Sequence, residues 1–381
     1  MEGKIRNLYP GGNTPDGFYS YYNYILPQRK AEKIFCLKGG PGTGKSTLMR
    51  KVGQHFIDKG EDVDFLWCSS DPGSLDGILV KKRNAAILDG TSPHIVDPKN
   101  PGAVDEIINL GEFWNEELIR KNRSRVISCN EKTAKLFGYV YGYLKCAQQQ
   151  YEFLSHVLDE SISYEKMREY KSQVCLKLDG ISVLRRSESK IKRDSVLGKD
   201  IYTGEKRKFF AGAITPGGIK NNIISIIDNI ERIIIIDVPI GFRSEKLLSQ
   251  VSERFTDAGF DIEEYYCPMF PEDKLEHVVC PDADTAVVCS NEYHVIDTEN
   301  VSGKVIRIKV EDYLDSAESE LLKKIYEDIK ESSRDCILKA IEILKEAKAN
   351  HDILEDYYVP NMDFDAMDDL REYIIEKIEE K

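Results

Sequence analysis

A glycine-rich loop stands near the N-terminus of the chain and reads Gly39-Gly40-Pro41-Gly42-Thr43-Gly44-Lys45-Ser46-Thr47. It matches the phosphate-binding pattern G-x-x-x-x-G-K-[ST]. The apolar residues 33–37 before it predict a buried strand, and residues 48–52 after it predict the first turns of a helix. A strand, a glycine-rich loop and a helix in this order are what such a phosphate site requires.

The pattern assigns a role to each part of this loop. Glycines let the backbone N–H groups point at phosphate oxygens, and the helix N-terminus adds partial positive charge. The Lys45 side chain is expected to reach the β- and γ-phosphates, and the Ser46 hydroxyl is expected to hold Mg²⁺. All nine residues are predicted to line the nucleotide site: Gly39, Gly40, Pro41, Gly42, Thr43, Gly44, Lys45, Ser46 and Thr47.

The chain also repeats itself at an interval of about 200 residues, which indicates duplicated domains rather than a solenoid. The segment Asp62-Val63-Asp64-Phe65-Leu66-Trp67-Cys68 is matched by Asp261-Ile262-Glu263-Glu264-Tyr265-Tyr266-Cys267. The match extends into the predicted helices, where Leu154 is opposite Leu354 and Met167 is opposite Met367. The helices were therefore duplicated together with the strands.

Short apolar segments that alternate with helical ones predict an α/β fold with parallel sheets. We expect two tandem P-loop NTPase-like cores, each followed by a helical appendage. The first domain is predicted at 1–200, with its appendage at about 103–180, and the second at 201–381, with its appendage at about 311–381. Further strands are predicted at 63–68, 85–89, 233–236, 262–266, 286–289 and 305–310.

The second repeat has lost the phosphate-binding pattern. Its corresponding stretch is Ile236-Asp237-Val238-Pro239-Ile240-Gly241-Phe242-Arg243-Ser244-Glu245-Lys246, which keeps one glycine and no Gly-Lys-Ser. The bulky side chains would block close approach of a ligand to the backbone, and the acidic ones would repel phosphate. This half is therefore predicted to be degenerate in nucleotide binding, with a structural or regulatory role.

Two carboxylates are candidates for catalysis beside Lys45. Asp89 ends the predicted strand at 85–89, where a carboxylate can orient Mg²⁺ or the attacking water. Cys289 replaces it in the second repeat, so the acid and the loop are lost together. The alternative is that Asp89 only caps a turn. Asp71 is its rival because it follows the predicted strand at 63–68, at the carboxyl edge of the sheet. We assign the metal to Ser46 and Asp89.

Composition narrows the function classes. A net charge of −13 and a pI near 5.2 argue against a general nucleic-acid binder. No apolar run is long enough for a membrane span, and the first residues lack the apolar core of a signal peptide. The nine cysteines are scattered without metal-binding spacing, which predicts a reducing cytoplasm. His94 recurs as His294 even though the second loop is lost, which favours a structural role for both.

Several of these stretches resemble a bacterial family of tandem P-loop proteins that are described only as ATPases of unassigned role. The resemblance covers nearly the whole chain and rests on residues 11–20 and 38–47, on Asp71-Pro72-x-Ser74-Leu75-Asp76 and on Leu88-Asp89-Gly90-Thr91-x-Pro93-His94. It implies a duplicated P-loop NTPase fold and ATP binding, and it supplies no substrate. The second loop departs from the family pattern.

The sequence therefore predicts a Mg²⁺-dependent ATPase that uses the first loop. ATP is favoured over GTP because no Asn-Lys-x-Asp segment of the kind that recognises guanine is present. Two alternatives stay open. One is a small-molecule or nucleotide kinase, for which the basic residues Arg185, Arg186 and Arg193 at the domain boundary are a possible lid. The other is an ATP-dependent binding switch with little turnover.

Overall fold

The computed structural model describes residues 2–93, 96–178, 203–313 and 320–380. His94 and the basic residues Arg185, Arg186 and Arg193 lie outside these ranges. The chain forms two compact units. The first comprises Met1–Tyr143, Ala213–Lys220 and Leu338–Lys381, and the second comprises Leu144–Gly212 and Asn221–Ile337. Both units are therefore built from residues of both sequence repeats.

The first unit contains a six-stranded sheet. Its strands are β1 (Ile5–Leu8), β4 (Lys33–Lys38), β5 (Val63–Trp67), β6 (Leu75–Val80), β7 (Ala85–Asp89) and β8 (Asp105–Asn109), and their order is β1-β5-β6-β7-β4-β8. A separate hairpin is formed by β2 (Gly11–Thr14) and β3 (Gly17–Ser20). Helix α1 (Lys45–Asp58) follows the glycine-rich loop, and its apolar residues join the core under the sheet.

The sheet is mixed, so the expectation of a parallel sheet was wrong for one strand. β6 runs antiparallel to both β5 and β7, whereas the other pairs are parallel. The reason is the length of the connections, since residues 68–74 and 81–84 are too short for the crossover that parallel neighbours need. β6 was missed in the sequence because Asp76 and Gly77 interrupt its apolar run.

The sheet of the second unit repeats this arrangement. Its strands are β9 (Lys206–Phe209), β12 (Arg232–Asp237), β13 (Ile262–Cys267), β14 (Phe270–Cys280), β15 (Thr285–Ser290) and β16 (Lys304–Lys309). Their order is β16-β12-β15-β14-β13-β9, and β14 is the antiparallel strand. After β9 the chain again forms a hairpin, from β10 (Gly212–Thr215) and β11 (Gly218–Asn221), and residues 213–220 of it belong to the first unit. This equal strand order is consistent with two duplicated α/β cores.

The other α-helices of the described ranges are α2 (Glu116–Arg120), α3 (Arg123–Glu160), α4 (Tyr164–Leu178), α5 (Ile223–Ile227), α6 (Glu245–Asp257), α7 (Glu320–Glu355) and α8 (Phe364–Glu379). Helix α8 packs on α1, and its residues Met367, Ile374, Ile375 and Ile378 belong to the core of the first unit. In the second unit, Tyr151 and Leu154 of α3 pack against Ile240. Each core is thus completed by helical residues from the other repeat.

Within the described ranges, we find no helix that combines the length and the apolar character needed to cross a membrane.

Candidate functional site

The glycine-rich loop, residues 39–47, follows β4 directly, and its last three residues form the start of α1. Gly42 and Gly44 have φ angles of 67° and 82°, in the left-handed region that favours glycine. Gly44 is the residue that caps the N-terminus of α1. The first N–H groups of a helix have no partner inside the helix, so this loop and helix start present donors to an anion.

Lys45 and Asp89, both predicted as site residues, lie next to each other. The Lys45 Nζ atom donates to the carbonyl oxygens of Gly39 at 3.0 Å and Gly40 at 2.8 Å. The same atom lies 3.5 Å from Asp89 Oδ2, and both side chains are nearly buried. β4 and β7 are adjacent strands with Leu37 paired to Asp89, so the sheet register brings the carboxylate to the start of the loop.

Asp89 also organises the turn that follows β7. Its Oδ1 atom accepts a hydrogen bond from the Thr91 N–H at 2.8 Å, and the Thr91 hydroxyl donates to the Gly39 carbonyl at 2.8 Å. One carboxylate oxygen of Asp89 therefore caps the turn, as the alternative interpretation expected. The other oxygen faces Lys45, so the two roles do not exclude each other.

Ser46 contacts the strand that was missed in the sequence. Its Oγ atom accepts a hydrogen bond from the Leu75 N–H at 2.9 Å. The next residue, Asp76, is buried. Burial raises the pKa of Tyr22 well above its usual value, and the Asp76 and Asp89 carboxylates raise it further. Asp76 and Asp89 thus act on the same side chain.

Asp76 is therefore an additional carboxylate at this edge of the sheet, and the sequence analysis did not single it out as a site residue. A signal for it existed in the repeat. The register of β6 against β7, compared with that of β14 against β15, places Asp76 opposite Glu276, so both copies carry an acid at this position.

Asp71 lies at the tip after β5, as expected, and it contacts Ser74 and a lysine of α7. Its Oδ2 atom accepts a hydrogen bond from the Ser74 hydroxyl at 2.6 Å. Its Oδ1 atom lies 3.2 Å from the Nζ atom of Lys348, which also pairs with Asp352. Lys348 belongs to the part of α7 that lies in the first unit.

Residues from the end of α7 to the start of α8 cover the glycine-rich loop, and we call the segment 355–367 the loop cover. The Gly42 N–H donates to Glu355 Oε1 at 3.2 Å. A Cβ atom on Gly40 would lie 2.9 Å from the Tyr358 ring, and one on Gly42 would lie 2.8 Å from Val359. The loop glycines are therefore needed for this close packing as well as for their φ angles.

The stretch of the second unit that corresponds to the loop, residues 238–244, is filled by protein groups. Val238, Ile240 and Phe242 are buried. The Tyr326 hydroxyl donates to the Ile240 carbonyl at 2.9 Å, and the buried Lys274 ammonium donates to the Phe242 carbonyl at 3.3 Å and to the Tyr151 hydroxyl. A Cβ atom on the remaining glycine, Gly241, would lie 2.8 Å from Leu154.

A second group of possible metal ligands lies in this unit. One donor atom each of Glu276, His277 and His294 falls within 4.8 Å of the others. His277 Nδ1, however, accepts a hydrogen bond from the Cys289 N–H at 3.2 Å. The neutral ring must then carry its proton on Nε2, which leaves no lone pair there for a metal. The positive charge of Lys274 also acts on His294. As folded, His277 therefore offers no ligand atom to a metal.

Comparisons with known proteins do not assign the chain to a family. No protein-family model matches the chain, and searches of curated proteins and of solved structures found no significant match.

Proposed function

We propose that the first unit binds Mg·ATP at the glycine-rich loop and hydrolyses it. The observation that carries this proposal is the position of Lys45. Its ammonium lies at the head of α1, held by two loop carbonyls and beside the Asp89 carboxylate. A cation held in this way at a helix N-terminus is suited to contact an anion that the loop N–H groups bind.

The other site residues fit a magnesium ion. Mg²⁺ prefers oxygen ligands and keeps several of its waters, so it needs few protein side chains. The Ser46 hydroxyl and the Asp89 carboxylate supply such oxygens, and the buried Asp76 adds negative charge at the same edge. When bound, the ion would neutralise charge on the phosphates. In this proposal Lys45 leaves the loop carbonyls for the phosphates, and Asp89 orients the metal shell or the attacking water.

ATP rather than GTP is proposed, because the sequence lacks the guanine-recognition segment. We also propose a cytoplasmic location. All nine cysteines fall within the described ranges and are free thiols, as expected for a reducing compartment.

A binding switch with little turnover is the second candidate. It is favoured by the hydrogen bond between Gly42 and Glu355, which joins the loop to residues far along the chain. Measured turnover separates the two candidates, since the switch predicts binding without hydrolysis.

Calorimetry with Mg²⁺ and a non-hydrolysable ATP analogue tests the proposal. Lys45→Ala should weaken binding by at least about 100-fold, because a charge-assisted contact to phosphate is lost. Lys51→Ala is the matched control, since this lysine lies on the same helix and pairs with Asp368 at the surface. Equal affinity of folded Lys45→Ala and Lys51→Ala would overturn the assignment.

A further inference from the structure

Glu355 carries a negative charge at an unfavourable position, the C-terminus of a helix. It is the last residue of the long helix α7, and a carboxylate at a helix C-terminus is repelled by the helix dipole. Its stabilising contacts lie outside the backbone of α7. One carboxylate oxygen accepts the Gly42 N–H, and His351 Nε2 lies 3.5 Å from that same oxygen.

Electrostatics at this position favour the ionised form of Glu355. The pKa of Glu355 lies below its usual range, chiefly because of His351, with smaller contributions from Lys348 and from the Gly42 N–H. Lys348, His351 and Glu355 follow one another at three- and four-residue spacing, so they share one face of α7. Through Lys348 and Asp71, this face is also tied to the tip after β5.

The sequence repeat supplies an independent observation. The offset that aligns Leu154 with Leu354 places Ser155 opposite Glu355. The Ser155 hydroxyl donates to the Tyr151 carbonyl of its own helix. The acid is therefore present on the helix that covers the intact loop of the first unit and absent from the helix that covers the degenerate loop of the second unit.

We propose that Glu355 competes with nucleotide phosphate for the glycine-rich loop and must leave the Gly42 N–H when the nucleotide binds. This inference rests on the function proposed above. A phosphate oxygen and a carboxylate oxygen cannot accept the same N–H at normal distances, and two such anions in one cradle repel each other. Glu355 thereby sets the affinity of the site for phosphates.

Displacement of Glu355 also changes the packing of the loop cover. Tyr358 and Val359 of the loop cover pack directly on Gly40 and Gly42. When Glu355 moves away, these contacts must adjust, because the residues follow it closely in the chain. Nucleotide occupancy then changes the packing of the loop cover, which is how a signal would leave the site.

The test is calorimetry of the full-length protein with Mg²⁺ and a non-hydrolysable ATP analogue. Glu355→Gln keeps the shape and an acceptor oxygen and removes the negative charge, so it should bind the analogue about tenfold tighter or more. Glu346→Gln is the matched control, because Glu346 is an exposed acid on the same helix and in the same unit. It should bind like the unmodified protein.

The outcomes separate this inference from the proposed function. If the unmodified protein binds and Glu355→Gln binds no tighter than Glu346→Gln, the competition is overturned and the nucleotide site stands. If only Glu355→Gln binds, both proposals are supported. If neither protein binds, both are overturned. Thermal melting of each variant shows that it is folded.

Hydrogen exchange provides the second readout. Adding the analogue to the unmodified protein should raise amide exchange in residues 355–361 at least severalfold. In Glu355→Gln this segment should already exchange faster without the analogue. Unchanged exchange on saturation with the analogue would overturn the displacement of Glu355.

Discussion

The Nζ atom of Lys45 and the Oδ2 atom of Asp89 lie 3.5 Å apart, although the two residues are 44 positions apart in the chain. Their contact depends on the pairing of β4 with β7, which sets the end of one strand beside the start of the glycine-rich loop. The second repeat has no lysine equivalent to Lys45, and Cys289 is the residue equivalent to Asp89. The pair has therefore changed as a unit.

Asp89→Asn should lower kcat by about 100-fold or more and change the Kd of the ATP analogue by less than about threefold. The amide keeps the hydrogen bond from the Thr91 N–H and removes the charge that faces Lys45 and the metal. Steady-state hydrolysis measures the change in kcat, and calorimetry measures the change in the Kd of the analogue. If Asp71→Asn shows this pattern and Asp89→Asn turns over normally, the roles of the two acids must be exchanged.

One Mg·ATP should bind per chain. The loop of the first unit presents N–H groups, whereas the corresponding stretch of the second unit is filled by the buried side chains of Val238, Ile240 and Phe242. A titration with the analogue should reach a stoichiometry near one. A value near two would contradict the proposal that the second repeat does not bind nucleotide.

Ile374→Ala should lower the free energy of unfolding of the first unit by about 3 kcal/mol. Ile374 is fully buried, and it fills the core beneath α1 from the other end of the chain. Its neighbour Tyr373 is partly exposed, so Tyr373→Ala should cost less and serves as the control. Thermal and urea unfolding measure both variants. Equal small losses would show that α8 contributes little to this core.

Stability should fall as the pH drops below about 6.5, the ordinary pKa of histidine. Burial lowers the pKa of His277 well below that value. The unfolded chain therefore takes up a proton in this range and the folded chain does not, so acid favours unfolding. One such histidine contributes roughly 1 kcal/mol between pH 6.5 and 5.5.

His277→Asn tests this pH dependence. The amide oxygen can still accept the Cys289 N–H, and the titrating ring is gone. Urea unfolding at pH 7.5 and 5.5 should show a smaller loss of stability for this variant than for the unmodified protein. An equal loss in both proteins would assign the acid sensitivity to other groups.

Much of the local structure could be predicted from the sequence. Apolar runs located β4, β5, β7, β12, β13, β15 and β16, because a buried strand shows in its own residues. β6 was not predicted, since Gly77 and Asp76 occupy positions in it that only the neighbouring strands explain. The antiparallel direction of β6 follows from connection lengths, which cannot be judged until the strand itself is known.

The candidate site divides in the same way. The glycine-rich loop is a contiguous motif, so its residues, its φ requirements and its place between a strand and a helix were all contained in the sequence. Asp76 and Glu355 were not identified as site residues, because their proximity to the loop depends on pairings between distant parts of the chain. Glu355 is 313 residues from Gly42.

The sequence by itself determined the loop, the duplication and the decay of the second loop, because each is visible in the order of residues. Which helix covers which loop was decided only by the tertiary structure. The two repeats have similar apolar faces on their helices, so either could pack on either core as far as local pattern is concerned. Long-range packing placed Glu355 on Gly42 and Leu154 on Gly241, and thereby completed each loop with residues of the other repeat.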